Sequence, residues 1–198
     1  MSRAAAAKPP DRRKLIGIVT IVVIVIAVIV AVGLSSRQNS PVPQNATQAV
    51  GSSTLKVGDT APEFSVQTNA GPFDLANVSG PVLLEVFATW CPHCQHETVV
   101  LNSIAAKYQG KLGLVAVSGD AFNMNHDGPE SLADVNTFGQ TFGVRYPIAY
   151  DPDLKVAQLY LKDGFPTLVL IDRNKKINWM KDGEIPPADL QAAINRVI

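Results

Sequence analysis

The segment Val82-Leu83-Leu84-Glu85-Val86-Phe87-Ala88-Thr89-Trp90-Cys91-Pro92-His93-Cys94 decides how this chain of 198 residues folds. Its first part belongs to a short apolar run, residues 81–87, which is typical of a strand buried on both faces of a sheet. A helical pattern follows from about residue 92 to residue 108. We therefore expect the chain's two cysteines, Cys91 and Cys94, to lie in the turn between a buried strand and a helix.

The cysteine pair admits three interpretations. As unrelated residues, the two cysteines of the chain would rarely fall three positions apart by chance. A structural disulfide between them would close almost no loop, and cross-links stabilise mainly by restricting long loops. A redox pair fits better, because Pro92 suits the first helical position and the helix N-terminus favours a thiolate at Cys91. The setting favours a redox pair.

The rest of the domain alternates strand and helix patterns. A hairpin is predicted around Asn69-Ala70-Gly71. Further strands are predicted at residues 112–117, 146–150, 167–171 and 176–180, and further helices at residues 131–142, 152–160 and 187–197. Such alternation indicates an α/β sheet that helices cover on both faces.

Three motifs, in this order, resemble those of thioredoxin-like proteins. Residues 87–94 resemble the active-site segment, and residues 164–172 resemble the cis-proline loop with the strand after it. Residues 57–64 resemble the start of the catalytic domain in membrane-anchored thiol–disulfide oxidoreductases of the TlpA/ResA type. The resemblance covers about residues 55–198. It implies a thioredoxin-like fold, a central mixed sheet covered by helices, with an added helix and strand in the middle.

The resemblance implies a role for four residues around the motif. Cys91 matches the attacking cysteine and Cys94 the resolving one, and together they would form the redox-active disulfide. Glu97 matches a glutamate that tunes the cysteines, and Glu85 lies where thioredoxin keeps a buried acid that relays protons. A carboxylate in an apolar strand is costly unless it is protonated or partnered. An outward-facing Glu85 and a solvated Glu97 stay open as alternatives.

A docking surface for substrate is also implied. Pro166 matches the cis-proline of the family, and the loop that contains it and Phe165 would face the cysteines and offer backbone groups to the substrate chain. Trp90 would shield the disulfide and contribute to the same surface. Without the resemblance, Pro166 would be an ordinary turn proline, since about 5–6% of X–Pro bonds in folded proteins are cis.

His93 departs from the TlpA/ResA pattern. The Cys91-Pro92-His93-Cys94 sequence resembles that of oxidising proteins of the DsbA type, whereas TlpA/ResA-type reductants more often place Pro before the second cysteine. His93 is therefore a candidate for tuning the redox potential, and both directions of electron flow stay open. The alternative is an exposed histidine without effect.

Two other activities compete with thiol–disulfide exchange. Peroxiredoxin-type peroxidases place Pro and Thr or Ser seven and three residues before the reactive cysteine, where this chain has Leu84 and Ala88. A copper-binding metallochaperone of the same fold uses CxxxC rather than CxxC. Its candidate ligands here would be Cys91, His93, Cys94, His96, Met124 and His126.

The N-terminal part predicts a membrane anchor. Residues 15–34 contain no charge and 13 Ile or Val, and a helix of that length spans about 30 Å, the hydrocarbon thickness of a bilayer. A cleaved signal peptide stays open, since Ala31-Val32-Gly33 offers a cleavage site. Five basic residues precede the segment, so we expect residues 1–14 in the cytoplasm, a flexible linker at residues 35–54 and the domain at residues 55–198 outside the cytoplasm.

Charge excludes one class of partner. The chain has 17 basic and 17 acidic residues, and 12 basic and 16 acidic residues follow the apolar segment. This balance gives no positively charged surface that would attract nucleic acid.

Taken together, the motifs and the apolar segment predict a single-pass membrane protein that exchanges disulfides with protein clients through Cys91 and Cys94, without a metal or other cofactor. A membrane or extracytoplasmic redox partner would reset the pair.

Overall fold

The computed structural model describes residues 52–198. Within them the strands are β1 (Ser65–Thr68), β2 (Gly71–Asp74), β3 (Val82–Phe87), β4 (Gly113–Ser118), β5 (Ile148–Tyr150), β6 (Thr167–Ile171) and β7 (Ile177–Asp182). The helices are α1 (Pro92–Lys107), α2 (Leu132–Thr141), α3 (Lys155–Tyr160) and α4 (Pro187–Ile194). Each predicted element is present, with ends shifted by a few residues. The predicted start of α3 was too early, because Leu154 is in the left-handed region at φ 54° and the helix begins after it.

The sheet is mixed and has β3 near its centre. The strand order is β2-β1-β5-β4-β3-β6-β7. β3 runs parallel to β4 and antiparallel to β6, and the hairpin β1–β2 pairs antiparallel with β5. A strand with neighbours on both sides and helices on both faces has no exposed position. This explains why all six residues of β3 are buried, Glu85 included.

Apolar cores lie on both faces of the sheet, as predicted. Alternate residues of β3 divide between them. Leu83 and Phe87 belong to the core that includes residues from α1, α2 and α4 and both cysteines. Leu84 and Val86 belong to the core beneath α3 and the segment before β1. Because Glu85 has the parity of Leu83 and Phe87, its side chain lies on the same face of the sheet as the cysteines.

The predicted helix–strand addition is α2 with β5, inserted between β4 and α3. It is reached through Gly119, which directly follows β4. A Cβ on this residue would lie 2.7 Å from both Ala157 Cβ and Val86 Cγ1, so a glycine is required for this close approach. The loop of residues 119–131 therefore leaves the sheet at a fixed point beside β3.

The predicted anchor at residues 15–34 lies outside the described residues, as does most of the predicted linker. In residues 52–198, no helix has the length and apolar character needed to cross a membrane.

Candidate active site

The cysteines lie at the start of α1, at the end of the sheet where β3 ends. Cys91 is the N-cap residue in extended conformation, with φ −77° and ψ 117°, and Pro92 occupies the first helical turn. The Cys91 N–H donates to Ala88 O at 3.1 Å, which closes the turn after β3. Both thiols are free, and Cys91 is 4% exposed whereas Cys94 is fully buried. The strand, turn and helix predicted around the pair are confirmed.

The environment of Cys91 stabilises its thiolate. A hydrogen bond from the Cys94 thiol is the main cause that lowers the pKa of Cys91 to about 6. Burial opposes this shift, while the backbone N–H groups of Cys94 and His93 and the charge of His93 favour it. The two backbone N–H groups are the contribution expected at a helix N-terminus, and a neighbouring histidine charge lowers a thiol pKa independently of the helix. Near neutral pH, Cys91 is therefore ready to act as a nucleophile.

Cys94 has the opposite character. Burial is the main cause that raises the pKa of its thiol, and hydrogen bonding to Cys91 and the charge of Glu85 raise it further. The thiol thus keeps its proton while Cys91 is ionised. The two thiols differ in pKa because Cys91 lies at the N-cap of α1, whereas Cys94 lies within the first turn of the helix and its side chain points into the core.

The loop before β6 lies directly against Cys91. The Phe165–Pro166 peptide bond is cis, as predicted. The Cys91 thiol donates to Phe165 O, with Sγ and O 3.6 Å apart. The Thr167 hydroxyl donates to Gly164 O at 2.7 Å, which holds this turn. The predicted proximity of the loop to the cysteine pair is found.

Glu85 lies beneath the cysteine pair. It is 2% exposed, on the central strand between Ala116 of β4 and Leu168 of β6. Burial raises its pKa well above the usual value, the charges of Glu97 and Cys91 raise it further, and a hydrogen bond from Tyr146 lowers it. The outward-facing alternative for Glu85 is therefore wrong, because β3 is a central strand. A protonated acid with electrostatic contact to both cysteines can exchange a proton with them.

Glu97 is 1% exposed and contacts the loop after β7. Its Oε2 accepts a hydrogen bond from the Ile185 N–H at 3.0 Å, while its buried Oε1 has no partner among the described residues. Burial raises the pKa of Glu97 to about 7, the Ile185 N–H lowers it, and the charge of Glu184 raises it. The solvated alternative for Glu97 is therefore wrong. Its direct contact is with the loop of residues 183–186 rather than with a thiol.

His93 and His96 share one acid on that same loop. His93 Nδ1 lies 2.5 Å and His96 Nδ1 3.3 Å from Glu184 Oε1. All three side chains are substantially exposed. The hydrogen bond to Glu184 is the main cause that raises the pKa of His93. The loop thus keeps a positive charge beside Cys91 to higher pH than an isolated histidine would.

Three partners of the site were missed by the sequence reasoning: Glu184, Tyr146 and Glu130. The Glu130 carboxylate is 4% exposed and accepts hydrogen bonds from Thr89, at 2.6 Å, and from Ser118. Burial raises its pKa to about 7. The only available sequence signals were an acid in an otherwise uninformative loop, Glu130, and an acid two residues after the end of β7, Glu184.

The structure also shows where the residues considered for the peroxidase and copper-binding activities lie. Leu84 and Ala88, at the peroxidase positions, are fully buried apolar residues. His126 meets the Trp90 ring edge-on, and Met124 packs against the core. In residues 52–198, no group of three or more His, Cys, Asp or Glu side chains is arranged to hold a metal ion.

Comparison with known proteins places these features in a family. The thiol-disulfide oxidoreductase ResA of Geobacillus thermodenitrificans is 29% identical over 145 residues, and that of Bacillus thuringiensis is 27% identical over 146 residues. Each alignment covers 72% of this chain and 79% of the relative. A solved structure from Chlorobium tepidum, assigned as a thiol:disulfide interchange protein DsbE, is 29% identical with a TM-score of 0.64, covering 73% of this chain and 99% of the other.

The predicted thioredoxin-like α/β fold is thereby confirmed. The resemblance to TlpA/ResA-type proteins is confirmed by the ResA relatives. The sequence profile of the AhpC/TSA family matches residues 57–180, which is more than half of the chain. The chain belongs to the AhpC/TSA family.

Proposed function

We propose that this protein is a membrane-anchored thiol–disulfide oxidoreductase that exchanges disulfides with protein clients outside the cytoplasm through Cys91 and Cys94. The observation that carries the exchange activity is the unequal pair at the start of α1. Cys91 has a thiol pKa of about 6 and touches the cis-proline loop, whereas Cys94 is fully buried and protonated. An activated nucleophile beside a protected second thiol is what a two-step exchange requires.

The first step forms a mixed disulfide. The Cys91 thiolate attacks one sulfur of a client disulfide, the client S–S bond breaks, and one client sulfur leaves as a thiolate that takes up a proton. A low pKa raises the fraction of thiolate at Cys91. Phe165 O accepts a hydrogen bond from the Cys91 thiol, so the cis-proline loop lies directly beside the reacting sulfur. On this side of Cys91, Pro166 and Trp90 would contact the client backbone.

The second step releases the client. The Cys94 thiol attacks Cys91 Sγ, and the mixed disulfide breaks. The proton of Cys94 leaves with the client sulfur, so the client ends with two thiols and two more electrons and the protein ends with a Cys91–Cys94 disulfide. Glu85 is placed to relay this proton, giving up its own as it takes up that of Cys94, because its charge is coupled to both Cys91 and Cys94. The same steps in reverse oxidise a client dithiol.

Redox tuning is assigned to three residues around the pair. His93 stabilises the Cys91 thiolate, which exists only in the reduced protein, and so makes the pair more oxidising. Glu85 opposes this effect, because a negative charge on Glu85 and the Cys91 thiolate repel each other. Glu97 acts indirectly, since it holds the loop that presents Glu184 to His93.

The anchor and the compartment rest on the sequence. Residues 15–34 are long and apolar enough to span a bilayer, and five basic residues precede them. A reporter that is active only outside the cytoplasm, fused after Ile198, should be active. Activity only of a cytoplasmic reporter would overturn the compartment, and with it the extracytoplasmic redox partner that we propose resets the cysteine pair.

The exchange activity is tested by redox equilibration. The full-length protein, purified from membranes, is equilibrated with glutathione buffers of different oxidation state, and its free thiols are counted by mass after alkylation. We expect both thiols to disappear together as the Cys91–Cys94 disulfide forms. The Cys91→Ser variant should form no such intramolecular disulfide. Thiols in the wild type that stay free in the most oxidising buffer would refute the function.

A further inference from the structure

Four aromatic side chains form a continuous row from the loop after β4 to the cis-proline loop. Phe122 stacks on His126 with ring centroids 5.6 Å apart and an angle of 11° between the planes. His126 meets Trp90 edge-on at 4.7 Å, and Trp90 meets Phe165 edge-on at 6.1 Å. We call Phe122, His126, Trp90 and Phe165 the aromatic row. It combines Trp90 of the active-site segment and Phe165 of the cis-proline loop with two residues of the loop after β4, which lies outside the three family motifs.

The aromatic row begins at the reacting sulfur. Trp90 directly precedes Cys91 in the chain, and Phe165 O lies 3.6 Å from Cys91 Sγ. Cys91 is only 4% exposed, so a client cysteine that bonds to its sulfur must approach over the neighbouring side chains. The three centroid separations place the far end of the row at most about 16 Å from its start, which is the length of up to about five residues of an extended chain. Residues close to the client cysteine would therefore lie on it.

The outer half of the row is exposed, and its loop carries no Lys or Arg. Phe122 is 47% exposed, and His126 is exposed as well. Residues 119–130 contain three acids and no Lys or Arg. Such a surface favours aromatic partners through offset and edge-to-face contacts, and it disfavours acidic ones.

The loop that carries Phe122 and His126 is fixed to the active site. The Glu130 carboxylate accepts hydrogen bonds from Thr89, which directly precedes Trp90, and from Ser118 at the end of β4. The two ends of the loop are joined by the hydrogen bond from the Glu130 N–H to Ala121 O at 2.9 Å. Because the row is organised before a client arrives, binding does not have to order it. His126 is held at φ 58°, a costly conformation for a residue other than glycine, which marks the loop as constrained.

We propose that the aromatic row selects clients, as a binding surface for an extended client segment that carries an aromatic residue within about four positions of its reactive cysteine. This inference rests on the proposed disulfide exchange and names the class of client that the exchange prefers. Phe122 and His126 would determine specificity, and Glu130 would be a positioning residue that acts through the loop. One aromatic pair is worth enough to raise a rate by roughly 3- to 10-fold.

The test uses two synthetic peptides, each with one cysteine and each dimerised through its disulfide. One carries Tyr two positions from the cysteine, and the matched peptide carries Ser there. The reduced full-length protein with the Cys94→Ser substitution attacks either peptide, forms the Cys91–peptide disulfide and releases one peptide thiol. The measured quantity is the ratio of the two second-order rate constants. We expect the Tyr peptide to react roughly 3- to 10-fold faster.

Variants localise the preference. Phe122→Ser should bring the ratio close to 1, and His126→Ser should reduce it. Val57→Ser, a change of another exposed apolar residue, should leave the ratio as it is. A ratio of 1 in the parent protein, or an unchanged ratio in both Phe122→Ser and His126→Ser, would overturn the proposal.

Glutathione separates this proposal from the proposed function. Glutathione disulfide has no aromatic side chain, and its exchange with the pair tests disulfide exchange alone. Exchange with glutathione together with equal peptide rates would refute the aromatic row and leave the oxidoreductase standing. Failure of glutathione and both peptides to react would refute the oxidoreductase itself.

Discussion

Glu184 Oε1 lies 2.5 Å from His93 Nδ1, and this contact ties the active-site turn of α1 to the loop after β7. The same loop donates the Ile185 N–H to Glu97 inside the protein. Two carboxylates, Glu184 at the surface and Glu97 inside the protein, thus connect the loop of residues 183–186 to α1. Because His93 contributes to the low pKa of Cys91, the protonation of Glu184 and His93 is linked to the reactivity of the thiol.

We predict that Glu184→Gln lowers the pKa of His93. The hydrogen bond to Glu184 is the main cause of the raised value, and a neutral amide stabilises an imidazolium less than a carboxylate does. NMR titration of the His93 ring in the reduced protein measures the change. Asp189→Asn, which removes an acid on the neighbouring first turn of α4, serves as the control and should leave the His93 titration where it is. An unchanged midpoint in Glu184→Gln would contradict the contact.

Replacing His93 with Pro should change the redox potential of the cysteine pair. His93→Pro removes both the charge and the backbone N–H that stabilise the Cys91 thiolate, so the pKa of Cys91 should rise and the potential become more negative. If the shift acts on the reduced state alone, each pKa unit is worth about 30 mV. Thiolate absorbance titration and glutathione equilibration measure the two quantities.

His93→Gln is the matched control for that experiment. It removes the charge and keeps the backbone N–H, so we expect a smaller shift in the same direction. Identical values for the wild type and both variants would reduce His93 to a surface residue.

Local motifs predicted the parts of the site that are close in sequence. The turn that presents Cys91, the cis bond before Pro166 and the burial of both faces of β3 follow from neighbouring residues and from a family pattern. The contacts Glu184–His93 and Glu130–Thr89 join residues 91 and 41 positions apart. These contacts depend on the tertiary packing of the loops that carry Glu184 and Glu130. Neither hydrophobic periodicity nor turn residues predict how such loops pack.

The division of labour between the cysteines predicts opposite trapping behaviour. Cys94→Ser keeps the nucleophile and loses the group that resolves the mixed disulfide, so it should accumulate disulfide-linked clients. Cys91→Ser leaves only a fully buried, protonated thiol and should accumulate few. Non-reducing gels of cells that express each full-length variant, quenched with acid, compare the two. Equal trapping by both variants would contradict the assignment of Cys91 as the attacking residue.

Buried acids predict that the domain loses stability as pH rises from about 4.5. The pKa values of Glu97 and Glu130 are raised to about 7, and burial raises that of Glu85 well above its usual value, so the folded state holds protons that the unfolded chain releases near pH 4.5. A raised pKa stabilises the fold below the unfolded value, and this stability is lost as pH increases. Cys91 acts in the opposite sense only above about pH 6.

Between about pH 4.5 and 6 the change in stability therefore comes from the buried carboxylates, and Glu85→Gln tests the contribution of one of them. In that window, each excess proton makes the free energy of unfolding fall by about 1.4 kcal/mol per pH unit. Removing one such group should flatten the wild-type slope by up to that amount, as measured by urea unfolding at several pH values. Val86→Ala, an apolar change on the same strand, should lower the free energy equally at each pH. Equal slopes in the wild type and Glu85→Gln would mean that Glu85 is ionised in the folded protein.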